Sequence, residues 1–315
     1  MKPYSQVVLF SPSGALVDES ALDRAAICLE SLGWQVQEHA ACRAREQRFA
    51  GTEPQRIKTI HEVFATPTQS LLMASRGGYG LSRLLPSLDF EELANMLNQN
   101  GHLLCGHSDL TALQLPLLAA GAQPSSLLHG PMACFDFGPQ PGVNVDTLEH
   151  FNRALAESRV EVSWQVDGWP DWQGFWHGAL PIEGAAWGGN LAMICSLLGT
   201  PWQAELAGGI LILEDINEPP YRIERMLLQL HQAGVLGRQR AIVLGQFCEP
   251  APGPHDSGYG LHSVIDFVQS LVDIPVIPNF PFGHCTPKAC WFQGMESILQ
   301  STGAGGFVFQ QSGDV

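Results

Sequence analysis

The sequence predicts an α/β protein whose parallel sheet is covered by helices on both faces. In the first third of the chain, short apolar runs typical of strands alternate with segments whose apolar residues recur at helical spacing. Strand–helix alternation of this kind is typical of parallel sheets, because each crossover helix packs back onto the sheet. The length of 315 residues exceeds one typical domain and predicts two.

The elements of the first half follow from the local pattern. Residues 7–10 form the first predicted strand, and the helix at 20–32 places its leucines and alanines on one face before Gly33 ends it. The same criteria predict strands at 34–37, 70–74 and 102–105, helices at 53–64 and 110–120, and a helix that begins at 81–85. The glycine-rich turn 77–80 and the turn at Ser108 follow strands, and parallel sheets hold their active groups at such ends.

The second half continues the alternation after a proline- and glycine-containing stretch at 136–148. We therefore predict an N-terminal domain at 1–140, a connector at 141–170 and a C-terminal domain at 171–315. Predicted elements are helices at 147–157, 191–198, 222–233 and 262–272, strands at 209–213, 241–245 and 276–277, and a β-hairpin at 297–310.

The composition excludes several classes of function. The formal net charge is −15, with 16 basic and 31 acidic residues, so we expect neither nucleic acid nor an anionic membrane as a partner. The apolar run near the start is too short for a signal peptide, and no run is long enough to cross a membrane. We expect a cytoplasmic protein whose eight cysteines are reduced. Cys285 and Cys290 beside His284 lack a second ligand pair, so we expect no metal.

Ser108 lies where an apolar strand meets a helix-prone segment, in the stretch Gly106-His107-Ser108-Asp109. A serine at the apex of a strand–turn–helix can be exposed as a nucleophile, with the amides of the first helical turn near the atom that it attacks. The alternative is a Ser/Asp cap at the start of an ordinary helix.

A serine nucleophile needs a base, and the base works best when a carboxylate holds its tautomer. His284 lies in a turn after an apolar strand and is the candidate base. Glu214 follows a run of apolar strand residues and is the candidate acid. The alternatives are a loop histidine with a structural role and an acidic residue that interacts with the dipole of the next helix.

An oxyanion hole needs two backbone amides near the developing charge. We expect one from Asp109 and the other from Gly77 or Gly78, where missing side chains let the backbone approach a ligand. A phosphate cradle is the alternative for this glycine-rich turn, but the turn fits neither G-x-x-x-x-G-K-[ST] nor G-x-G-x-x-G.

Several long blocks resemble the L,D-carboxypeptidases of murein recycling, a serine peptidase family that also contains the microcin-immunity peptidases. The blocks include SRGGYGLSRLL at 75–85, GHSDLTAL at 106–113, WGGNLAM at 187–193 and LEDINEPPYRIERMLLQL at 213–230. The resemblance implies a flavodoxin-like N-terminal domain, a smaller swivelling β/α/β C-terminal domain and a homodimer. It carries the family's nucleophile, acid and base onto Ser108, Glu214 and His284. The segment CTPKACWFQG after His284 departs from the family pattern.

The implied reaction is hydrolysis of the terminal D-alanine from the murein tetrapeptide L-Ala-D-Glu-meso-diaminopimelate-D-Ala, with no metal or organic cofactor. Substrate contacts are expected from Arg76, Tyr79, Trp187 and Asn190, with a core position as the alternative for Trp187. Arg222 and Arg225 are expected to pair with nearby carboxylates instead. Two other functions stay open: a peptidase that cleaves a peptidyl- or aminoacyl-nucleotide toxin, and a non-catalytic protein that binds murein peptides.

Overall fold

Two sheets organise the chain. The computed structural model describes residues 4–157, 159–166, 181–204, 206–248, 253–303 and 305–312. The helices are α1 Glu19–Ser31, α2 Glu53–Phe64, α3 Phe90–Asn100, α4 Thr111–Ala119, α5 Val145–Glu157, α6 Leu191–Leu197, α7 Pro220–Gln232 and α8 Leu261–Leu271. The strands are β1 Gln6–Phe10, β2 Gln35–Glu38, β3 Ser70–Ala74, β4 Leu103–Gly106, β5 Leu127–His129, β6 Arg159–Gln165, β7 Ile182–Asn190, β8 Ile210–Ile216, β9 Ala241–Cys248, β10 Val276–Ile277, β11 Trp291–Phe292, β12 Glu296–Gly303 and β13 Gly306–Ser312.

The first sheet has the order β11-β5-β4-β3-β1-β2. Its first five strands in the sequence are parallel, and β11 joins β5 in antiparallel orientation. Successive side chains of β1 enter different cores. Val7 and Leu9 belong to the cluster that includes α1 and α5, whereas Val8 and Phe10 belong to the cluster of α2, α3 and α4. The predicted parallel sheet with helices on both faces is confirmed.

The second sheet has the order β10-β9-β8-β7-β12-β13-β6 and is mixed. Strands β7 to β10 are parallel, while β12, β13 and β6 continue the sheet in antiparallel pairing and curl it. The predicted hairpin at 297–310 is confirmed as β12 and β13. Helices α6, α7 and α8 pack on the face that carries Leu211 and Leu213.

Some local features differ from the sequence prediction. The helix predicted to begin at 81–85 is instead two 3₁₀ turns, Leu81–Arg83 and Leu85–Ser87, because Pro86 disfavours continuation of an α-helix; α3 starts only at Phe90. The predicted connector 141–170 contains α5 and β6, and its boundary at 170/171 lies outside the described residues. None of the helices within the described ranges has the length and apolarity needed to cross a bilayer.

Candidate active site

Ser108 lies on a tight turn at the carboxyl end of β4. Its φ is +64°, a left-handed conformation that costs energy for a residue with a side chain. A 3₁₀ turn, Ser108–Leu110, leads directly into α4, and neither segment has a side-chain cap. The side chain of Asp109 instead accepts a hydrogen bond from the amide of Leu81 at 3.0 Å. The alternative of a Ser/Asp helix cap is therefore wrong for this turn.

Glu214 and His284 form a buried pair. Oε2 of Glu214, on β8, lies 2.8 Å from Nδ1 of His284, and their side chains are 0% and 8% exposed. This contact leaves Nε2 of the imidazole free for another partner. Gly283 makes the close approach possible, because a Cβ there would lie 3.0 Å from Glu214 and its φ is +124°.

Asn190 holds the other oxygen of Glu214. These two residues are register partners on β7 and β8, and the Asn190 amide nitrogen donates to Oε1 of Glu214 at 3.2 Å. The side-chain oxygen Oδ1 of Asn190 also accepts a hydrogen bond from the backbone amide of Met193 and caps α6. Asn190 does line the cavity described below, but its side chain is occupied by Glu214, Asp215 and the helix end. The sequence predicts a substrate contact for Asn190 and carries no signal for this bracing of Glu214.

A cavity of about 370 Å³ brings the candidate residues together between the two sheets. Ser108, Asp109 and His284 line it, as do Arg76 and the neighbouring glycines 77 and 78. Ser108 and His284, both within the described residues, form no direct hydrogen bond in the structure. Catalytic hydrogen bonds often shorten only when substrate is bound, so the lack of a direct hydrogen bond is compatible with a nucleophile and its base.

Gly77 approaches Ser108 so closely that no larger residue fits. A Cβ at position 77 would lie 2.8 Å from both Cβ and Oγ of Ser108, and 3.4 Å from the amide nitrogen of Asp109. The amides of Gly77 and Gly78 donate no hydrogen bond within the part of the chain that the structure describes. The backbone of Gly77, whose amide has no partner among the described residues, therefore lies next to the hydroxyl of Ser108.

Arg76 is a half-buried cation at the wall of the cavity. Burial lowers the pKa of its guanidinium below the usual value. Nη1 donates to the carbonyl oxygen of Ala15 at 2.7 Å, and no carboxylate of the described residues forms an ion pair with it. The guanidinium can therefore accept an external anion. By contrast, Arg222 pairs with Glu218 at 2.5 Å, as expected from their spacing.

The structure places Trp187 and Tyr79 away from the cavity lining. Trp187 is 2% exposed, packs in the core under α6, α7 and α8, and donates from Nε1 to Gln239 at 2.9 Å. Its expected contact with substrate is corrected to a core position, because β7 directs the ring toward these helices. Tyr79 is 41% exposed and lies beside Phe49, with ring centroids 5.9 Å apart.

Two aspartates beside the candidate triad are shifted toward their neutral forms. Burial raises the pKa of Asp109 to about 6. Burial, with a further contribution from neighbouring Glu214, raises the pKa of Asp215 to about 6. Asp215 also lines the cavity and accepts from the amide of Ala192 at 2.9 Å. The sequence pattern indicated that this acidic residue follows a strand, but not that it faces the site.

No group of three or more potential metal ligands occurs within the described ranges. The thiol of Cys285 donates to the carbonyl of Pro287 at 3.3 Å. Cys290 is buried, close enough to Cys105 that a Cβ on Gly130 would lie 3.3 Å from both sulfurs. These cysteines and His284 therefore do not converge on one point.

Comparisons with known proteins match both halves of this chain. Residues 7–128 match the LD-carboxypeptidase N-terminal domain and residues 183–299 the LD-carboxypeptidase C-terminal domain. A muramoyltetrapeptide carboxypeptidase from Oxalobacter formigenes is 36% identical, with a TM-score of 0.86 and coverage of 98% of this chain and 99% of that one. The murein tetrapeptide carboxypeptidase of Pseudomonas aeruginosa is 29% identical over 303 residues, which are 94% of this chain and 93% of the relative.

A further solved structure is similar in fold alone. The microcin C7 self immunity protein MccF in complex with aspartyl sulfamoyl adenosine is 21% identical, with a TM-score of 0.81 and coverage of 98% of this chain and 96% of that one. The two domain matches together span well over half of the residues. This chain belongs to the LD-carboxypeptidase family.

Proposed function

We propose that this carboxypeptidase removes the terminal D-alanine from murein tetrapeptides, with Ser108 as nucleophile, His284 as base and Glu214 as the acid that orients the base. The observation that carries the proposal is the buried Glu214–His284 pair, whose histidine lines the same cavity as a serine held at φ +64°. The names of the relatives from Oxalobacter formigenes and Pseudomonas aeruginosa support murein tetrapeptide as the substrate.

The geometry supports a serine acyl-transfer mechanism. Since Nδ1 of His284 faces Glu214, Nε2 takes the proton from Ser108 as its oxygen attacks the carbonyl between diaminopimelate and D-alanine. The imidazolium then protonates the departing D-alanine amine, which leaves an acyl-enzyme. Water, activated by the neutral imidazole, releases the shortened peptide. Glu214 keeps the imidazole in the required tautomer and stabilises its charged form.

The oxyanion of the tetrahedral intermediate is stabilised by backbone amides in this proposal. Asp109 supplies one amide directly after the nucleophile, and Gly77 or Gly78 supplies the other. Two observations support this assignment. A Cβ at Gly77 would lie 2.8 Å from Ser108, and the amides of Gly77 and Gly78 have no hydrogen-bond partner among the described residues. Preorganised donors of this kind contribute about 10²- to 10³-fold to kcat.

Arg76 binds a substrate carboxylate in this proposal. A terminal D-alanine ends in a carboxylate, and a protein with a net charge of −15 needs a local cation to accept it. Arg76 directly precedes the two glycines and has no acidic partner within the described residues. It can therefore select a free chain terminus and thus carboxypeptidase activity over internal cleavage.

The decisive experiment is mass spectrometry of a mixed muropeptide pool incubated with the wild type and with Ser108→Ala. We expect loss of one alanine from tetrapeptides with the wild type, and a loss of several orders of magnitude in kcat for the variant. Ser270→Ala, on the exposed face of α8, is the matched control. Undiminished cleavage by Ser108→Ala would refute the assignment of the nucleophile.

Two further assays distinguish the proposed function from a toxin-cleaving peptidase and from a binding protein. Intact tetrapeptide together with cleavage of an aminoacyl-sulfamoyl adenylate would replace the proposed substrate with a nucleotide-linked one. Tetrapeptide that is bound but never cleaved would indicate a binding protein.

We further propose that the enzyme acts in the cytoplasm as a homodimer. All eight cysteines are free thiols, which is usual in a reducing compartment. The dimer follows from the resemblance to the family. Sedimentation analysis at several protein concentrations tests it, and a single monomeric species throughout would contradict it.

A further inference from the structure

Lys288 is a fully buried lysine behind the candidate triad. Its side chain is 0% exposed, and it follows His284 in the segment that departs from the family pattern. Burying an ammonium is costly unless hydrogen bonds and an opposite charge compensate it. A lysine at such a position therefore has specific partners, and they are all close to the active site.

The ammonium of Lys288 contacts the residue before the nucleophile and the residue before the base. Nζ lies 3.3 Å from Nε2 of His107 and donates a hydrogen bond to the carbonyl oxygen of Gly283. His107 directly precedes Ser108, and Gly283 directly precedes His284. One side chain thus bridges the two loops whose separation sets the distance from nucleophile to base.

His107 is suited to accept this hydrogen bond. Its Nδ1 lies 2.9 Å from the carbonyl oxygen of Gly130, which can only accept, so Nδ1 carries the proton and Nε2 presents a lone pair to Lys288. Burial and the neighbouring charge of Lys288 lower the pKa of His107 well below its usual value. The ring therefore stays neutral and keeps this tautomer.

Asp136 and Phe135 complete the environment of the ammonium. Oδ1 of Asp136 lies 3.7 Å from Nζ, and its other oxygen accepts from the amide of Met132 at 2.7 Å. The ring of Phe135 lies 4.9 Å from Nζ and 5.9 Å from the ring of His284. The charge of Lys288 is thus compensated by groups that belong to the first sheet's half of the site.

We propose that Lys288 is a positioning residue that fixes the loops of Ser108 and His284 relative to each other by bonding to His107 and Gly283 at the same time. This inference rests on the proposed function of the triad. Lys288 touches neither substrate nor the reacting atoms. Its removal should therefore reduce kcat, because nucleophile and base lose alignment, and leave KM nearly unchanged, since Arg76 and the cavity wall are intact.

The test compares Lys288→Met, the double variant Lys288→Met/Asp136→Asn and Lys288→Arg with the wild type on murein tetrapeptide. The double variant leaves no unpaired buried charge and keeps the test available if the single variant fails to fold. We expect a loss of about a hundredfold in kcat with KM within about threefold for the variants with methionine. Lys288→Arg retains donors and charge and should recover about tenfold of that loss. Lys58→Met removes the exposed lysine of α2 and is the control.

Crystal structures of the wild type and the double variant supply the second readout, the distance from Oγ of Ser108 to Nε2 of His284. An increase in this distance with a fall in kcat supports the inference. Wild-type kcat in the folded double variant overturns it while the proposed function stands. If the wild type cleaves no tetrapeptide, the proposed function fails. The distance from Oγ of Ser108 to Nε2 of His284 then decides alone: the same value in the wild type and the double variant overturns the role of Lys288.

Discussion

Asn190 and Glu214 are neighbours across β7 and β8, and the Asn190 amide nitrogen donates to the carboxylate oxygen that does not face His284. Both oxygens of the buried acid therefore have a defined partner. The position of the carboxylate is set by strand register and not by a mobile loop. An acid held in this way can orient an imidazole with little loss of conformational entropy during the reaction.

Replacing Glu214 should remove the orientation of His284. Glu214→Gln keeps the size of the side chain, but its amide can present a donor to Nδ1 and favour the wrong tautomer. We expect kcat on murein tetrapeptide to fall by roughly 10⁴-fold with a folded protein. Glu218→Gln, four residues along the same segment, paired with Arg222 and outside the cavity lining, should retain activity. Equal activity of Glu214→Gln and the wild type would remove Glu214 from the triad.

Gly77 should not tolerate even a methyl group. In Gly77→Ala the new Cβ would lie 2.8 Å from Oγ of Ser108, so the nucleophile or the glycine-rich loop must move. We expect about a hundredfold loss in kcat, measured by steady-state kinetics. Gly237→Ala is the control, since a Cβ at Gly237 meets nothing within 4 Å. A fully active Gly77→Ala would show that this backbone does not contribute to the oxyanion hole.

Arg76 should affect the binding of substrates that end in a free carboxylate. Arg76→Met should raise KM by about tenfold to a hundredfold, because a charge-assisted hydrogen bond is lost in both the ground state and the transition state. The variant should also lose the preference for tetrapeptide over its C-terminal amide. Arg153→Met, in an exposed pair with Glu149, is the control. An unchanged preference for the free acid would place the carboxylate site elsewhere.

Asp109 should make stability depend on pH in a defined direction. Burial raises its pKa from 3.8 to about 6, so the folded state favours the protonated form. The stabilising contribution is therefore complete below pH about 4 and is lost as the pH rises through about 6. In Asp109→Asn this dependence disappears. Relative to the wild type, the variant should gain on the order of 2 to 3 kcal/mol in free energy of unfolding between pH 4 and 7.

Urea unfolding at several pH values measures this difference, with Asp273→Asn on the surface as the control. A difference between Asp109→Asn and the wild type that is constant from pH 4 to 7 would contradict the assigned shift.

Local patterns predicted much of the fold. The helices at 20–32 and 53–64 and the strand at 70–74 are confirmed within a few residues, because their apolar periodicity and end signals are strong. Strand β5 was missed because its three residues carry too little periodicity to detect. The pairing of β11 with β5 was also missed, since a two-residue strand acquires its identity only from a distant partner.

The site was predictable to the extent that its chemistry lies in short segments. Strand ends and turns pointed to Ser108, Glu214 and His284, and the structure brings the last two into contact; their catalytic roles stay predictions. Which side chains are buried could be predicted less well than which residues lie at strand ends. The sequence around Trp187 combines glycines with strand-forming residues, a pattern that is compatible with a cleft or with a core position. Only the packing of α6, α7 and α8 shows that Trp187 belongs to the core. The burial of Lys288 could not be predicted, because charged side chains usually lie at the surface.

Strand β11 has a consequence for how the protein can be divided. It lies near the end of the chain, between strands of the second sheet, yet it supplies the edge of the first. A fragment that stops at residue 140 would expose the backbone of β5 and the apolar surface that Trp291 and Phe292 normally cover. During synthesis the first sheet stays unfinished until residues 291–292 have emerged, so dissection into separately expressed halves should yield aggregating products.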